Sequence, residues 1–529
     1  MESEKAFQLT YATMFNSPEE LHTRYAQALA KIKATLGREY PMMIGGKPVF
    51  SEQKLENHSP INTDILLGIF QKGTAEHGRA AMEAAQKAFP AWSRTPWQER
   101  VALLRKAAAL LDERLFEIGA AMTLEVGKNR MESLGDVSET ADLIRYACSQ
   151  MEAKHGYIVQ MGNDPLSGFQ STNVSVMRPY GVWVVISPFN FPGALTGGPA
   201  GAALVTGNTV VIKPASDTSW MPCLLSQCFH DAGIPDGVVN FVTGSGSVIG
   251  QALIDSPLTA GLTFTGSYGV GMNIYRSFAA GKWVRPLVLE LGGKNAVIVS
   301  RHANLDDAAT GIIRSAFGLQ GQKCSACSRI LIEDAVYDDL VARLVEGTRK
   351  LVLGDPTERT VYLGPVINKA AYRDYQAFCE DLSQHGRILT GGKIATEGPL
   401  AKGYFCQPTL ADQLPFEHPL WKQEMFLPIS TIGRINSLEE GMQIANSVDY
   451  GLTAGFYGSE DEIAWVQDHF EAGVTYANRP QGATTGAWPG FQPFGGWKGS
   501  GSTGKNAGGV YYLPLYMREQ ILNRVRRSS

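Results

Sequence analysis

The sequence predicts an α/β protein organised around doubly wound parallel sheets, and three observations support this fold class. Short apolar segments alternate with helical ones from residue 182 onward, a pattern typical of parallel sheets with helices on both faces. Residues 179–212 carry no formal charge, as expected of a buried strand, loop, helix and strand. The length of 529 residues corresponds to roughly two to four domains, or to one large α/β unit with additions.

The amino-terminal part is predicted to supply helices and one hairpin. A capping box at Ser17 opens a helix that extends to about residue 34. Residues 42–49 are predicted to form a hairpin that turns at a glycine pair. Further helices are predicted over residues 75–89, 96–111 and 132–153. Pro90 is expected to end the first of these, and Pro96, behind a cap at Thr95, to occupy the first position of the second.

Four strands of the first parallel sheet are predicted at residues 182–186, 209–213, 238–242 and 262–265. A sheet of this kind binds nucleotides at the carboxyl ends of its strands. The glycine loop 266–271 follows the last strand and opens a helix, so its backbone could approach a pyrophosphate. It lacks the GxGxxG pattern, and an ordinary tight turn is the alternative.

A second alternating region extends from residue 296 to about residue 495. Its predicted elements are strands at 296–299 and 330–332 and helices over 306–317 and 335–351. The aromatic segment 510–516 is predicted to form a final strand that pairs with a neighbouring subunit.

Composition excludes several classes of protein. The net charge of −4 and the absence of lysine or arginine runs argue against nucleic-acid binding. The basic segment 524–527 is interpreted as a frayed tail. Prolines and glycines interrupt the uncharged segment 179–212 too often for a membrane helix. Seven scattered cysteines and an acidic amino terminus without a signal-peptide core predict a cytoplasmic protein.

Cys324 and Glu290 are the candidate catalytic pair. Cys324 lies among small residues beside Lys323, a setting that favours a thiolate. Glu290 ends an apolar run before a glycine pair, which places a carboxylate at the edge of a sheet. A cysteine and an acid make a nucleophile and a base.

Other interpretations of Cys324 remain open. It could be a small core residue, or a redox pair or half of a metal site with Cys327. A zinc site would need two further ligands, and the sequence has neither a second CxxC nor a paired histidine motif. No metal is therefore predicted.

Seven motifs stand in order along the chain. They are Ser-Pro-Phe-Asn-Phe-Pro at 187–192, Lys-Pro-Ala-Ser at 213–216, the glycine loop 266–271, Glu-Leu-Gly-Gly-Lys at 290–294, Gly-Gln-Lys-Cys at 321–324, Glu-Met-Phe at 424–426 and Pro-Phe-Gly-Gly at 493–496. Together they resemble the aldehyde dehydrogenase superfamily from about residue 40 to the end.

The resemblance implies the aldehyde dehydrogenase fold, with three parts. A Rossmann-like NAD-binding domain with N-terminal helices would comprise residues 1–165 and 182–288. An α/β catalytic domain would comprise residues 289–495. A small β oligomerisation arm would comprise residues 166–181 and 496–529, which implies a homodimer or a higher homo-oligomer.

The resemblance also implies a mechanism. Cys324 would attack the aldehyde carbonyl, and the side-chain amide of Asn190 with the backbone N–H of Cys324 would hold the oxyanion. Hydride would pass to nicotinamide and leave a thioester, which water activated by Glu290 would hydrolyse. Because CoA-acylating members usually lack this glutamate, Glu290 favours a free carboxylate product.

NAD is the implied cofactor. Lys213 and Ser216 would face the adenosine ribose, and Glu424 the nicotinamide ribose. A glutamate in place of Ser216 would repel a 2′-phosphate, so serine predicts NAD with tolerance of NADP. The implied cofactor-binding residues are Ser187, Pro188, Phe189, Lys213, Ser216, Gly266, Ser267, Gly271, Leu291, Glu424 and Phe426.

Within the superfamily, the segments around Cys324 and residues 485–496 look like those of the 1-pyrroline-5-carboxylate dehydrogenases, which oxidise L-glutamate γ-semialdehyde to L-glutamate in proline catabolism. The implied substrate-binding residues are Glu139, Phe191, Ser325, Gly486, Ala487 and Phe494. Ser325 and the Gly486-Ala487 pair would bind the substrate carboxylate through a hydroxyl and two backbone N–H groups. An ordinary turn is the alternative for that pair.

The chain departs from this pattern in one segment. Residues 480–484 are a few more than expected there, and Trp488 and Pro489 replace smaller or more flexible residues. The same chemistry on another aldehyde is therefore the nearest alternative. The complete set of Asn190, Glu290 and Cys324 argues against a noncatalytic scaffold. A cysteine hydrolase would need a histidine base, and no recognisable motif supplies one.

Overall fold

Two seven-stranded sheets organise residues 18–528, the part of the chain that this computed structural model describes. The helices are α1 (Glu19–Lys33), α2 (Ala75–Trp92), α3 (Trp97–Glu113), α4 (Leu115–Val126), α5 (Arg130–Ala153), α6 (Ala194–Val205), α7 (Trp220–Asp231), α8 (Gln251–Asp255), α9 (Tyr268–Ala279), α10 (Leu305–Phe317), α11 (Tyr337–Arg349), α12 (Lys369–His385), α13 (Leu438–Asn446) and α14 (Glu460–His469).

The strands are β1 (Arg38–Glu39), β2 (Met42–Ile44), β3 (Lys47–Val49), β4 (Lys54–His58), β5 (Leu66–Gln71), β6 (Ile158–Gln160), β7 (Phe169–Pro179), β8 (Val182–Ile186), β9 (Thr209–Lys213), β10 (Val239–Phe241), β11 (Thr259–Thr265), β12 (Leu287–Glu290), β13 (Asn295–Val299), β14 (Cys327–Glu333), β15 (Arg387–Thr390), β16 (Thr409–Asp412), β17 (Ile429–Ile435), β18 (Tyr450–Gly451), β19 (Thr453–Tyr457), β20 (Val474–Ala477), β21 (Trp497–Lys498) and β22 (Met517–Arg527).

The first sheet has the order β12-β11-β8-β9-β10-β2-β3. Its first five strands are parallel, and the predicted hairpin β2–β3 adds to one edge. The chain passes from β8 to β9 and β10, then returns to the other side of β8 with β11 and β12. The strand order therefore reverses between β8 and β11, where open α/β sheets bind ligands.

The second sheet has the order β15-β16-β17-β14-β13-β19-β20. Only β15 is antiparallel to its neighbour. Four residues, 291–294, separate the end of β12 from the start of β13. The carboxyl end of the first sheet consequently meets the amino end of the second, and a cleft forms between them. The predicted α/β class with parallel sheets is confirmed.

A separate three-stranded sheet, β22-β7-β6, forms the arm. Strand β22 pairs antiparallel with β7 from Met517 opposite Pro179 to Arg527 opposite Phe169. The expectation that residues 524–527 form a frayed tail is therefore wrong. Their backbone is held by a continuous strand pair while their side chains are exposed.

The aromatic segment 510–516 does not form the predicted strand. Leu513–Tyr516 is a 3₁₀ turn, and the strand begins only at Met517. Tyr516 is fully buried, where its hydroxyl contacts Tyr512 Oη at 2.7 Å and Thr263 Oγ1 at 3.1 Å. Pro514 has no N–H for a strand ladder, so burial of the flanking tyrosines decides the local conformation.

Three helix ends differ from the sequence prediction. Helix α2 continues past Pro90, because Trp92 is buried and its indole donates to Leu204 O at 3.2 Å. Pro96 is the N-cap of α3 rather than its first residue. Helix α5 begins before residue 132, capped by the side chain of Asn129. The Ser17 cap lies outside the described residues.

Among the described residues, no helix combines the length and the apolar composition needed to cross a bilayer.

Candidate active site

Two cavities meet at Cys324 in the cleft between the sheets. The larger, about 830 Å³, is the groove at the carboxyl ends of β8, β9 and β11. The smaller, about 80 Å³, also has Cys324 in its lining, and it is called the aldehyde pocket below after the substrate that the sequence resemblance implies. The residues that line both are Leu195, Thr265, Glu290, Leu291 and Cys324. A group bound in the groove and a group bound in the pocket would therefore meet at the sulfur.

Most of the predicted cofactor residues line the groove. They are Ser187, Pro188, Phe189, Lys213, Gly266, Ser267, Leu291, Glu424 and Phe426, and Asn190 lies among them. Ser216 and Gly271 are not among the described lining residues. The Ser216 hydroxyl donates to Gly244 O at 3.3 Å. A side chain at Gly271 would overlap Leu291, so this glycine permits α9 to pack against the end of the first sheet.

The groove has the features that a dinucleotide needs. The first turn of α9 begins after Ser267, whose side chain makes no cap hydrogen bond, so helix N–H groups are available for an anion. Lys213 is buried at the end of β9, and burial lowers its pKa to about 8. The volume is that of a cofactor site rather than a packing defect.

Sequence reasoning missed the second glycine segment of the groove, which includes Gly246, Ser247, Gly250 and Gln251. These residues follow β10, just as the glycine loop 266–271 follows β11. A strand followed by closely spaced glycines was therefore the available signal in both places.

Glu424 reaches the groove from the second half of the molecule. Its Oε1 accepts a hydrogen bond from Gly293 N at 2.9 Å. A side chain at Gly292 would overlap the Glu424 carboxylate, which explains the glycine pair after β12. Burial raises the pKa of Glu424 to about 7. Phe426, whose φ is 56°, packs edge-on against Phe189 with ring centroids 5.8 Å apart.

Cys324 is half-buried in the loop before β14. Leu319, Gln320 and Gly321 all have positive φ, so the approach to this loop is a strained, fixed turn. Burial raises the pKa of the Cys324 thiol well above its usual range, and the carboxyl groups of Glu424 and Glu290 raise it further. The resting nucleophile is a thiol.

The expected basic setting of Cys324 is wrong. Lys323 points away from the sulfur, and its Nζ lies 3.0 Å from Glu132 Oε1 in a buried ion pair. Lys323 therefore holds the loop against α5 and does not stabilise a thiolate directly.

Asn190 follows β8 and is almost fully buried beside Cys324. Its Nδ2 donates to Gln322 O at 2.9 Å, which ties it to the nucleophile loop. An amide nitrogen carries two hydrogens, so the second can serve an oxyanion next to the sulfur.

Glu290 ends β12, as the sequence predicted, and is buried. Its Oε2 has no hydrogen-bond partner among the described residues. Burial raises the pKa of Glu290 to about 8. A carboxyl group with a pKa near neutrality can act as a general base. The backbone is fixed on both sides, since Gly266 N donates to Glu290 O at 3.1 Å and Leu291 N donates to Ser500 O at 2.9 Å.

The aldehyde pocket brings together the six predicted substrate residues, Glu139, Phe191, Ser325, Gly486, Ala487 and Phe494. Burial, reinforced by Asp136, raises the pKa of Glu139 to about 8. The Phe191 ring is supported from behind by the Lys128 ammonium, 3.7 Å from the ring centroid. Lys128 in turn forms a fully buried ion pair with Asp136 at 2.8 Å.

The longer segment 480–484 packs behind Ser325. The Thr484 hydroxyl donates to Ser325 O at 2.6 Å. Trp488 and Pro489 both line the aldehyde pocket, and the Trp488 indole donates to Asp142 Oδ2 at 3.0 Å. The departures from the expected pattern thus shape the pocket wall and fix it to helix α5.

Cys327 is separated from this chemistry. It begins β14, is fully buried in the core of the second half, and its pKa is raised by burial to about 12. These features favour a packing role over a redox pair with Cys324.

Among the described residues, one group could hold a metal ion: Asp381, His385 and His418. None of the three lines the groove or the aldehyde pocket.

Residues 49–522 match the model of the aldehyde dehydrogenase family. The chain is 39% identical over 507 residues to the 1-pyrroline-5-carboxylate dehydrogenase of Geobacillus thermodenitrificans (strain NG80-2), covering 95% of this chain and 96% of that one. It superposes on the R100A mutant of Thermus thermophilus 1-pyrroline-5-carboxylate dehydrogenase with a TM-score of 0.92 and 34% identity over 100% of both chains. The Thermus enzyme with bound NAD gives a TM-score of 0.91, also at 34% identity over 100% of both chains.

Proposed function

Because the chain belongs to the aldehyde dehydrogenase family, we propose that it oxidises L-glutamate γ-semialdehyde, which derives from 1-pyrroline-5-carboxylate, to L-glutamate with NAD in proline catabolism. The observation that carries this proposal is the arrangement at Cys324. Cys324 lines both a groove of dinucleotide size and a small pocket whose lining includes Ser325, Gly486 and Ala487. Relatives that share about 38% identity over 95% of the chain are named for the same activity.

Acylation begins with attack of Cys324 Sγ on the aldehyde carbon: the thiol proton is released to solvent, a C–S bond forms, and the C=O π electrons move to oxygen, which gives the oxyanion of a thiohemiacetal. The Asn190 side-chain amide and the Cys324 backbone N–H donate to its oxygen, supported by the buried position of Asn190 beside the loop. NAD, when bound, supplies the two-electron acceptor for the carbon now attached to sulfur. The thioester that remains on Cys324 carries no charge.

Deacylation uses Glu290 as the base. Its unpartnered Oε2 is available to a water molecule, and it lines the same two cavities as the sulfur. The carboxylate takes a proton from water as the oxygen attacks the thioester carbon. The C–S bond then breaks, the sulfur recovers a proton, and glutamate leaves with a second carboxylate.

On this proposal, the cofactor is held by residues that line the groove and by Ser216, which is not among the described lining residues. The first-turn N–H groups of α9 after Ser267 hold the pyrophosphate. Lys213 and Ser216 contact the adenosine ribose, and Glu424 contacts the nicotinamide ribose. Serine at 216 leaves space and no repulsion for a 2′-phosphate, so NADP is tolerated at lower efficiency.

The aldehyde pocket holds the rest of the substrate. Ser325 Oγ and the N–H groups of Gly486 and Ala487 bind the α-carboxylate, while Phe191 and Phe494 pack against the carbon chain. Glu139, which also lines the pocket, contacts the α-ammonium group.

We also propose the domain division at 1–165 with 182–288, 289–495, and 166–181 with 496–529. Several apolar side chains of the arm are exposed, including Phe169, Ile521 and Val525, which supports an interface with another copy of the chain. The protein is proposed to be a cytoplasmic homo-oligomer, either a dimer or larger.

The test is a comparison of kcat/KM for glutamate γ-semialdehyde and pentanal, each with NAD and NADP. A carboxylate anchor predicts a preference for the semialdehyde of at least about tenfold, greater turnover with NAD, and no NADH from a Cys324→Ala variant. Equal kcat/KM for the two aldehydes would reject glutamate γ-semialdehyde as the substrate. Oxidation of another aldehyde through a thioester on Cys324 would then be the remaining proposal. That alternative is favoured by Trp488, which narrows the pocket.

A further inference from the structure

The aldehyde pocket lacks a cation where the proposed substrate has an anion. Its described lining residues include the acids Glu139 and Glu290 but no lysine or arginine. A carboxylate that enters this pocket gives up its hydration, and a lining without a cation offers no charge to offset that cost. A compensating positive charge is therefore expected just behind the wall.

Arg479 lies immediately behind Gly486. A side chain at Gly486 would overlap the guanidinium, and the Gly486 φ of 141° suits glycine alone. Arg479 Nη1 donates to Gly486 O at 3.4 Å. The glycine therefore permits a guanidinium to contact the backbone of the predicted carboxylate anchor.

This contact orients the anchor peptide. In a trans peptide the carbonyl and the following N–H point in opposite directions. Since Gly486 O faces Arg479, the Ala487 N–H faces away from it. No described residue accepts a hydrogen bond from that N–H. A cation on the carbonyl side also polarises the peptide, which makes the N–H a stronger donor.

The guanidinium has no countercharge among residues 18–528. Arg479 is half-buried, yet no described carboxylate lies within ion-pair distance of it. The Tyr476 ring is a further neighbour of the guanidinium, with its centroid 5.1 Å from Cζ. Its positive charge is therefore not offset by a described carboxylate and can attract an anion that enters the pocket.

We propose that Arg479 determines the specificity of the pocket for aldehydes that carry a carboxylate. It acts as a positioning residue through the Gly486–Ala487 peptide and supplies the positive charge behind it. This inference rests on the proposed function, because it assigns the recognition of the substrate's charged end.

The test measures kcat and KM of wild type, Arg479→Met and Arg479→Lys with glutamate γ-semialdehyde and with pentanal. For Arg479→Met, kcat/KM for the semialdehyde should fall about ten- to a hundredfold, as expected of unit charges roughly 6–10 Å apart at an effective dielectric constant near 20. The loss should appear mainly in KM, and pentanal should be oxidised as before. Arg479→Lys should recover most of the preference.

Arg314→Met is the matched control, because Arg314 donates to Pro480 O at 3.1 Å in the same segment, while the atoms that a side chain at Gly486 would meet first belong to Arg479. It should keep the wild-type preference. If wild type itself shows no preference, the proposed substrate fails and the role of Arg479 fails with it. If wild type prefers the semialdehyde and Arg479→Met keeps that ratio, only the inference about Arg479 is overturned. If Arg479→Met loses activity on both aldehydes, the test rests on Arg479→Lys. An Arg479→Lys variant that oxidises pentanal but does not prefer the semialdehyde would overturn the inference about Arg479.

Discussion

Replacement of Glu290 by glutamine separates acylation from deacylation. The same variant also shows how the buried carboxyl group affects the free energy of unfolding. Burial raises its pKa from 4.5 to about 8, a shift that corresponds to roughly 5 kcal/mol at about 1.36 kcal/mol per unit. For a carboxyl group with a raised folded-state pKa, the folded protein holds the proton more tightly than the unfolded chain. Wild type therefore loses stability as pH rises from about 4.5 through about 8.

Catalysis should have the opposite dependence on pH. The ionised fraction of Glu290 is about one tenth at pH 7, half at pH 8 and nine tenths at pH 9. Thioester hydrolysis in wild type should thus accelerate roughly tenfold between pH 7 and pH 9. Glu290→Gln should form one equivalent of NADH rapidly and then turn over slowly at every pH, because acylation does not need the base.

Two assays measure these effects. Stopped-flow absorbance gives the NADH burst and the steady rate from pH 6 to pH 9.5, and urea unfolding gives the free energy of unfolding of both proteins over that range. Glu290→Gln should gain up to about 5 kcal/mol over wild type above pH 8 and little near pH 5. A pH-independent hydrolysis rate in wild type, or steady turnover of Glu290→Gln near the wild-type rate, would show that another group is the base.

Three further changes probe other parts of the site. Asn190→Ala removes an oxyanion donor and should slow the NADH burst about a hundred- to a thousandfold. An unchanged burst rate would show that Asn190 does not bind the oxyanion. Ser216→Glu should lower kcat/KM for NADP at least about tenfold relative to NAD, which initial rates with both nucleotides measure. An unaltered ratio of kcat/KM for the two nucleotides would show that the adenosine ribose does not bind beside residue 216. Lys128→Met leaves the Asp136 carboxylate buried without its cation, so the free energy of unfolding in urea should fall by about 3–5 kcal/mol. The double variant Lys128→Met with Asp136→Leu should recover part of that stability, and a loss below about 1 kcal/mol in Lys128→Met would contradict a stabilising role of the ion pair.

The strands were predictable from sequence because they are buried on both faces. Residues 182–186 are a run of apolar side chains without alternation, and the structure places them at the centre of the first sheet. The position of Glu290 followed from the same pattern, since an apolar run that ends in an acid and a glycine pair marks the end of a strand. Prediction from the sequence was less accurate where a local pattern is compatible with two structures. Pro90 can end a helix or lie within one, and the segment around Pro514 can form a strand or a 3₁₀ turn.

The orientation of individual side chains was not predictable. Lys323 is adjacent to Cys324, but its partner Glu132 lies 191 positions away in the sequence, and that long-range ion pair turns it away from the sulfur. Gly271 fitted a phosphate loop by spacing, although its closest neighbour is Leu291. Likewise, a glycine at 486 indicated a turn or an anchor, and only the fold reveals that Arg479 occupies the space behind it.

The electrostatics of the site impose an order on the proposed chemistry. Ionised Glu290 and Glu424 both raise the pKa of the Cys324 thiol, so the thiolate forms most readily while both carboxyl groups are protonated. Once acylation has converted the sulfur to a thioester, the sulfur no longer titrates, and ionisation of Glu290 no longer hinders the nucleophile. Acylation therefore favours a protonated Glu290, and hydrolysis of the thioester favours an ionised one.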